Sequence, residues 1–270
     1  MKLSIKRASL FVGIIAVGLL LTSCRCSQPV ATASAGSTVE TGVQTKSSQA
    51  AMTPELALQE LREGNARFVA GTPRIRNFPA EVKATASGQY PFAVILSCLD
   101  SRQPVEIVFD QGIGDVFSAR VAGNVLNKDI LGSMEFACNV SGAKLIAVVG
   151  HSNCGAIKGA VDDVELGNLT GLLAKIKPAV DSIPDDGQPR TSKNHEFVDK
   201  VAEANVELVM KEIRERSPIL RGMLDRGEIG LVGGMYDLDT GKVRFFDQSI
   251  NGSGIGGQSP PQAVPAVEKP

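Results

Sequence analysis

Tryptophan is absent from this chain, tyrosine occurs twice, and aromatic residues together make up 4% of it. A core of packed rings is excluded, so the interior must rest on Val, Ile, Leu and Ala. Histidine is almost as scarce, with two copies, which makes the setting of each one informative. No charge of one sign dominates: 28 basic residues face 29 acidic ones, for a net charge of −1. That balance gives no electrostatic reason to expect a nucleic-acid partner, and neither tail carries a charge run pointing to another. No internal repeat is visible. The apolar stretch at residues 10–21 is about a dozen residues long, short for a membrane span.

What is present bounds the rest. With 270 residues and 43% hydrophobic content the chain can bury one sizeable core, and 28 glycines suit tight strand-to-helix turns. Lys2, Lys6 and Arg7 precede the apolar stretch, and Leu21-Thr22-Ser23-Cys24 follows it. A positive start, a short apolar centre and small residues make a secretory signal. The pattern is similar to the bacterial lipoprotein signal, in which the cysteine becomes the lipid-modified first residue of the mature chain. Cys24 is then the lipidation site, and residues 1–23 are removed. An ordinary cleaved signal with an incidental Cys24 is the alternative. Arg25, rather than Asp, follows the cysteine; by resemblance to Gram-negative lipoproteins this favours the outer membrane over the inner one. The implied location is the cell envelope, with the chain anchored to a membrane through its N-terminal lipid and facing the periplasm or the surface.

Residues 24–52 are rich in Ser, Thr, Ala and Gln and read as a flexible tether. Such a coil spans on the order of 30 Å. Residues 251–270, Gly/Ser-rich and then Pro-rich, read as a disordered tail. Between them, residues 53–250 are expected to form one α/β domain: a mostly parallel central sheet, flanking helices and one antiparallel edge strand. Thr53 is an N-cap candidate, Pro54 fits the first helical position, and Glu55 suits the positive end of the helix dipole. Strands are expected at 92–97, 115–121, 144–150, 228–236 and 243–246. Helices are expected from residue 54, at 130–139, 156–164 and 197–215, and after Pro218 at 219–226. The turn at 237–241 (DLDTG) joins the last two strands as a hairpin.

Two strand ends carry the chemistry. Residues 145–155 read LIAVVGHSNCG, an apolar run that stops at Gly150 and is followed at once by His151 and Cys154. Residues 92–102, FAVILSCLDSR, repeat the layout with Cys98, Asp100 and Arg102. Near-continuous apolar runs mark strands buried on both faces, and ligands bind at the carboxyl edge of such sheets. Cys98, His151 and Cys154 make a zinc site with three protein ligands and one open position. The competing reading is a Cys98–Cys154 disulfide, since export implies an oxidising compartment. That reading leaves His151, Asp100 and Arg102 clustered without a task. Cys138, among apolar residues, reads as a small buried hydrophobe, Cys26 as incidental, and His195 as incidental beside a polar loop.

Two thiolates cancel the charge of the ion, so a bound water should lose its proton less readily than beside three neutral histidines. Arg102 can keep Asp100 ionised and aimed by paired hydrogen bonds. Asp100 can then accept a hydrogen bond from zinc-bound hydroxide. Asp100 could instead coordinate zinc and close the open position, giving an inactive state.

Cys98-Leu99-Asp100-Ser101-Arg102, then Ala122-Gly123-Asn124, then 150–156 (GHSNCGA) resemble the β-class carbonic anhydrases. The likeness runs from about residue 53 to 247 and includes GNARF (64–68), FDQGIGDVFSARVAGN (109–124), SPIL (217–220) and GGMYDLDTGKV (233–243). The resemblance implies one zinc per chain, reversible hydration of carbon dioxide to bicarbonate, and a homodimer or tetramer. By position it implies zinc ligands at Cys98, His151 and Cys154, and a catalytic dyad of Asp100 and Arg102. It also implies substrate contacts at Gln89 (across a dimer interface), Phe117, Ala122 and Gly155. Some relatives carry a second, inhibitory bicarbonate site built partly on a Trp; this chain, without Trp, is not expected to share that control. Rival functions are hydrolysis of carbon disulfide or carbonyl sulfide on the same scaffold, a non-catalytic zinc-binding lipoprotein, and a hydrolase using Cys98 as nucleophile.

Overall fold

The computed structural model describes residues 42–246. The proposed signal, Cys24, most of the tether and the C-terminal tail lie outside the described residues. Three helices open the domain: α1 (Lys46–Ala51), α2 (Pro54–Ala70) and α3 (Phe78–Thr85). Then come β1 (Ala93–Ser97), α4 (Val105–Val108), β2 (Val116–Arg120), a short turn at Ala122–Asn124, α5 (Lys128–Glu135) and β3 (Leu145–His151). Helices α6 (Gly155–Val161), α7 (Gly167–Leu173), α8 (Lys177–Ser182), α9 (His195–Arg216) and α10 (Pro218–Asp225) precede β4 (Gly230–Tyr236) and β5 (Val243–Phe245).

The five strands form one sheet in the order β2-β1-β3-β4-β5. The first four run parallel, and β5 returns antiparallel to β4. Both faces of the central strands are covered, which is why they read as unbroken apolar runs. Val94 and Leu96 of β1, with Ile146 and Val148 of β3, face the larger cluster that includes α5, α6, α8, α9 and α10. Ala93, Ile95, Leu145, Ala147 and Val149 face a smaller cluster under α2 and α4. Leu, Val and Ile fill most of both clusters, as the scarcity of rings requires. Gly150 lets α9 approach closely: a Cβ there would stand 2.9 Å from both Val206 Cγ2 and Met235 Sδ.

Part of the segment expected to be a flexible tether is ordered. Residues 46–51 are helical, capped by Thr45, whose side chain accepts from Ser48 N. Gln49 is buried and donates from Nε2 to Pro91 O at 2.7 Å and to Ser141 O at 2.8 Å. Gln44 N donates to Asp115 Oδ1. These polar ties hold a segment that has almost no large apolar residue, so hydropathy gives no sign of it. Gln44 and the residues of α1 therefore belong to the folded domain.

Thr53 caps α2 as expected, accepting from Leu56 N, with Pro54 at the first position. The helix expected at 130–139 begins at Lys128, capped by Asn127, and ends in a wider π-type turn at Phe136–Val140. That turn buries Cys138, whose thiol is pushed up to about 12 by burial. The helix expected at 156–164 ends at Val161. Helices α3, α4, α7 and α8 carry no strong periodicity: they are 8, 4, 7 and 6 residues long. Among the described residues no helix is long and apolar enough to cross a membrane.

Candidate metal centre

Strand register brings the three ligands together. β1 and β3 are parallel neighbours, with Ser97 opposite Val149. Cys98 follows Ser97 directly, and His151 lies two residues past Val149, so both residues stand at the same carboxyl edge of the sheet. Asn153, at φ 61°, turns the chain back, and Cys154 becomes the N-cap of α6. The ligand atoms of Cys98, His151 and Cys154 all lie within 4.8 Å of one another, and all three residues are buried.

The cysteines are free, with Sγ atoms 4.0 Å apart. A disulfide needs about 2.05 Å. Two thiolates on one tetrahedral zinc, each about 2.3 Å away, stand about 3.8 Å apart. The spacing excludes the disulfide and suits a shared ion. His151 Nδ1 lies 2.9 Å from Ser152 O, which leaves Nε2 facing the cluster. Nε2 is buried and makes no hydrogen bond. A buried unpaired ring nitrogen beside two sulfurs, its other nitrogen tied to a backbone carbonyl, is the arrangement a metal-ligating histidine takes. The residues present therefore fit zinc.

Cys98 is held well below the usual thiol range, at about 4, first by its hydrogen bond with Cys154, with the His151 ring and the Gly123 amide adding to it against burial. Cys154 is pushed up by the neighbouring Cys98 sulfur and by burial. A cation bound by both sulfurs competes with protons for them.

Asp100 turns away from the ligands toward Arg102. Arg102 Nε donates to Oδ1 at 3.0 Å, Nη2 to Oδ2 at 2.8 Å, and the Arg102 backbone N to Oδ1 at 2.9 Å. These bonds from Arg102 hold the Asp100 carboxyl well below the usual carboxylate range. Asp100 Oδ2 stands 3.9 Å from His151 Nε2, and Asp100 is not one of the clustered ligands. Both oxygens accept from Arg102, and Oδ2 remains the carboxylate atom nearest the ligand group. Arg102 is 60% exposed in its side chain, so the pair adds little to stability and serves to orient the carboxylate.

The four substrate positions are spread out. Gly155 opens α6 and is exposed, with nothing within 4 Å of where a Cβ would sit. Ala122 precedes Gly123, whose amide N donates to Cys98 Sγ at 3.3 Å. Phe117 pairs with Val94, four residues back from Cys98, or roughly 13 Å at strand rise. It packs edge-to-face on Phe136. Gln89 is exposed at the amino end of β1, the edge opposite Cys98, so the fold of one chain does not bring it to that chain's own site. His195 opens α9 and is exposed.

Sequence reasoning gave no role to Arg120, Gln103, Ser152, Tyr236 or Asn205. Arg120 Nε donates to Cys98 O at 3.1 Å, and its Nη2 donates to Asp100 O. Gln103, fully buried, donates to Val149 O and Gly150 O. Ser152 N donates to Tyr236 O at 2.9 Å, and Ser152 Oγ accepts from Leu238 N. Only Arg120, Ser152 and Tyr236, embedded in the quoted motifs, carried any signal.

A buried Cys-His-Cys group at the carboxyl edge of a parallel sheet, with an Arg-held carboxylate beside it, defines a metalloenzyme of the β-carbonic anhydrase kind. Comparison with known proteins agrees. A family model described as carbonic anhydrase matches residues 93–243. Carbonic anhydrase 2 of Mycobacterium tuberculosis is 37% identical over 204 residues, covering 73% of this chain and 95% of the relative. The carbonic anhydrase of Mycolicibacterium smegmatis is 36% identical over 198 residues, covering 71% and 93%. Among solved structures, a tetrameric β-carbonic anhydrase of Sordaria macrospora superposes with a TM-score of 0.55 at 26% identity, covering 63% of this chain and 87% of that one. The chain belongs to the carbonic anhydrase family, in its β class. It is a lyase that uses zinc in the reversible hydration of carbon dioxide to bicarbonate.

Proposed function

We propose that Cys98, His151 and Cys154 hold the zinc of each chain and that Asp100 and Arg102 act on the substrate as a dyad. The observation that carries this is the convergence of two free sulfurs and an unpaired imidazole nitrogen within 4.8 Å. When bound, zinc lowers the pKa of water and so supplies a nucleophile near neutral pH, chemistry for which the three-histidine carbonic anhydrases are the reference case. Asp100, kept ionised by Arg102, would accept a hydrogen bond from that nucleophile and so orient it toward carbon dioxide. Gly155 offers an exposed backbone beside Cys154 for the product oxygen. Ala122 lines the near wall. Phe117 and Gln89 reach a site only from another copy of the chain, in a homodimer or tetramer. The tetrameric state of the Sordaria enzymes supports that assembly.

The expected result is carbon dioxide hydration in stopped-flow assay, with one zinc per chain. Turnover of carbon disulfide or carbonyl sulfide that exceeds hydration under competition would overturn the reading in favour of the sulfur analogues.

The N-terminal sequence supports export and lipid attachment at Cys24, with the enzyme held at the bacterial envelope and favouring the outer membrane. On that reading Cys24→Ala shifts the protein from the membrane fraction to the soluble periplasmic fraction. An unchanged membrane share would refute the anchor.

A further inference from the structure

Asn205 is the one polar residue among the buried positions of α9, where Val201, Ala202, Val206 and Val209 are its neighbours. It is 1% exposed. Its Nδ2 donates to Gly123 O at 2.9 Å, while its Oδ1 has no hydrogen-bond partner. A buried acceptor left unpaired is destabilising, and an apolar side chain of similar size would avoid the penalty. Packing alone does not account for asparagine there.

Gly123 links Asn205 to the metal centre. Its N–H donates to Cys98 Sγ at 3.3 Å, so the residue is pinned at both ends, by a sulfur and by an amide. Gly123 sits at φ 64°, ψ 19°, and a Cβ there would stand 2.7 Å from Ile176 Cδ1, so glycine is required. Glycine, however, adopts either sign of φ with equal ease. The turn bond from Asn124 N to Val121 O at 2.9 Å closes the loop around Gly123, and because the Gly123 carbonyl shares a planar peptide with that N–H, it also sets the carbonyl's direction within the turn. Val121 N donates to Ser97 O at 3.1 Å and ties one side of the turn to β1, while Asn205 ties its other side to α9.

We propose that Asn205 is a positioning residue for the metal centre: its bond to the Gly123 carbonyl braces the turn at Ala122–Asn124 against α9, so that the Gly123 N–H stays on the Cys98 sulfur. That N–H would fix the direction of the Cys98 sulfur toward its share of the metal, as a partner behind a ligand does. This inference rests on the reading that Cys98, His151 and Cys154 hold zinc.

The test compares the zinc-loaded parent with Asn205→Leu, which removes the amide and the orphaned oxygen together. Zinc transfer to an excess of a chromogenic chelator is timed, and the thiolate-to-metal charge-transfer band is recorded after cobalt substitution. Zinc release is expected to quicken about 10–100-fold, the usual scale for losing a partner behind a ligand. The cobalt band is expected to move, and the far-ultraviolet circular dichroism to stay that of the parent. Asn205→Asp keeps the size and replaces the donor by an acceptor facing the Gly123 carbonyl, and should release zinc at least as fast. Release within twofold of the parent in either folded variant, with an unmoved cobalt band, overturns the proposal. Failure of both variants to fold also overturns it, by assigning Asn205 to the core. A parent that holds no zinc refutes the ligand reading itself; a parent that holds it, with variants that hold it equally, refutes only the role of Asn205.

Discussion

Cys98→Ser loses its zinc and, with it, carbon dioxide hydration: kcat/KM falls by at least about 10⁴-fold. The size of the effect follows from the site. Each of the three ligands supplies one of the few bonds to the ion, and Cys98 is the sulfur already held toward its thiolate form. Serine has a far higher pKa and a shorter reach, so it does not replace that charge. His151→Ala should behave alike, because Nε2 has no hydrogen-bond partner in the protein to which its role could pass. Metal analysis and stopped-flow hydration on the same samples check the claim. Either variant retaining both a full zinc complement and parental turnover would contradict it.

Asp100→Asn is expected to keep zinc and lose turnover, with kcat/KM lower by about 10²–10³-fold, the scale of a positioned proton acceptor. Zinc content and hydration rate measured together separate this from ligand loss; parental turnover would remove Asp100 from the mechanism. The pH dependence follows from the direction of its shift. Its folded pKa lies below the ordinary carboxylate value because of Arg102. The charged form, and whatever stability it brings, is fully present above about pH 4 and is lost only as pH falls through the depressed value. Between pH 5 and 9 Asp100 does not titrate, so activity that changes there reports another group. In Arg102→Gln the carboxyl returns toward its ordinary range, and a new loss of activity on the acid side, near pH 4–5, is the expected sign of it.

The parts of this molecule that were legible in its sequence are those where a single physical rule dominates. Strands β1 and β3 declare themselves by apolar runs, because both their faces are covered, and their carboxyl ends place Cys98 and His151 on one edge. Thr53-Pro54 marks the start of α2 by cap chemistry alone. The hairpin of β4 and β5 follows from Asp237 to Gly241. The parts that escaped are held by polar contacts across long separations. Gln49 ties α1 to Pro91 and Ser141 with two hydrogen bonds from a segment whose composition looks like linker. Asn205 reaches Gly123, 82 positions away, and nothing local to either residue announces the pairing. The distances of Phe117 and Gln89 from the metal ligands depend on strand register and sheet edge, which the residues do not state. How Asp100 is aimed is likewise not stated by the residue order; the paired bonds from Arg102 show it.

X-ray absorption at the zinc edge on the loaded protein tests the central claim most directly. Two sulfurs at about 2.3 Å, one imidazole nitrogen at about 2.0–2.1 Å and one further light atom, with one zinc per chain, is the expected result. A shell without sulfur, or a protein that takes up no zinc while Cys98 and Cys154 are joined to each other, would contradict it.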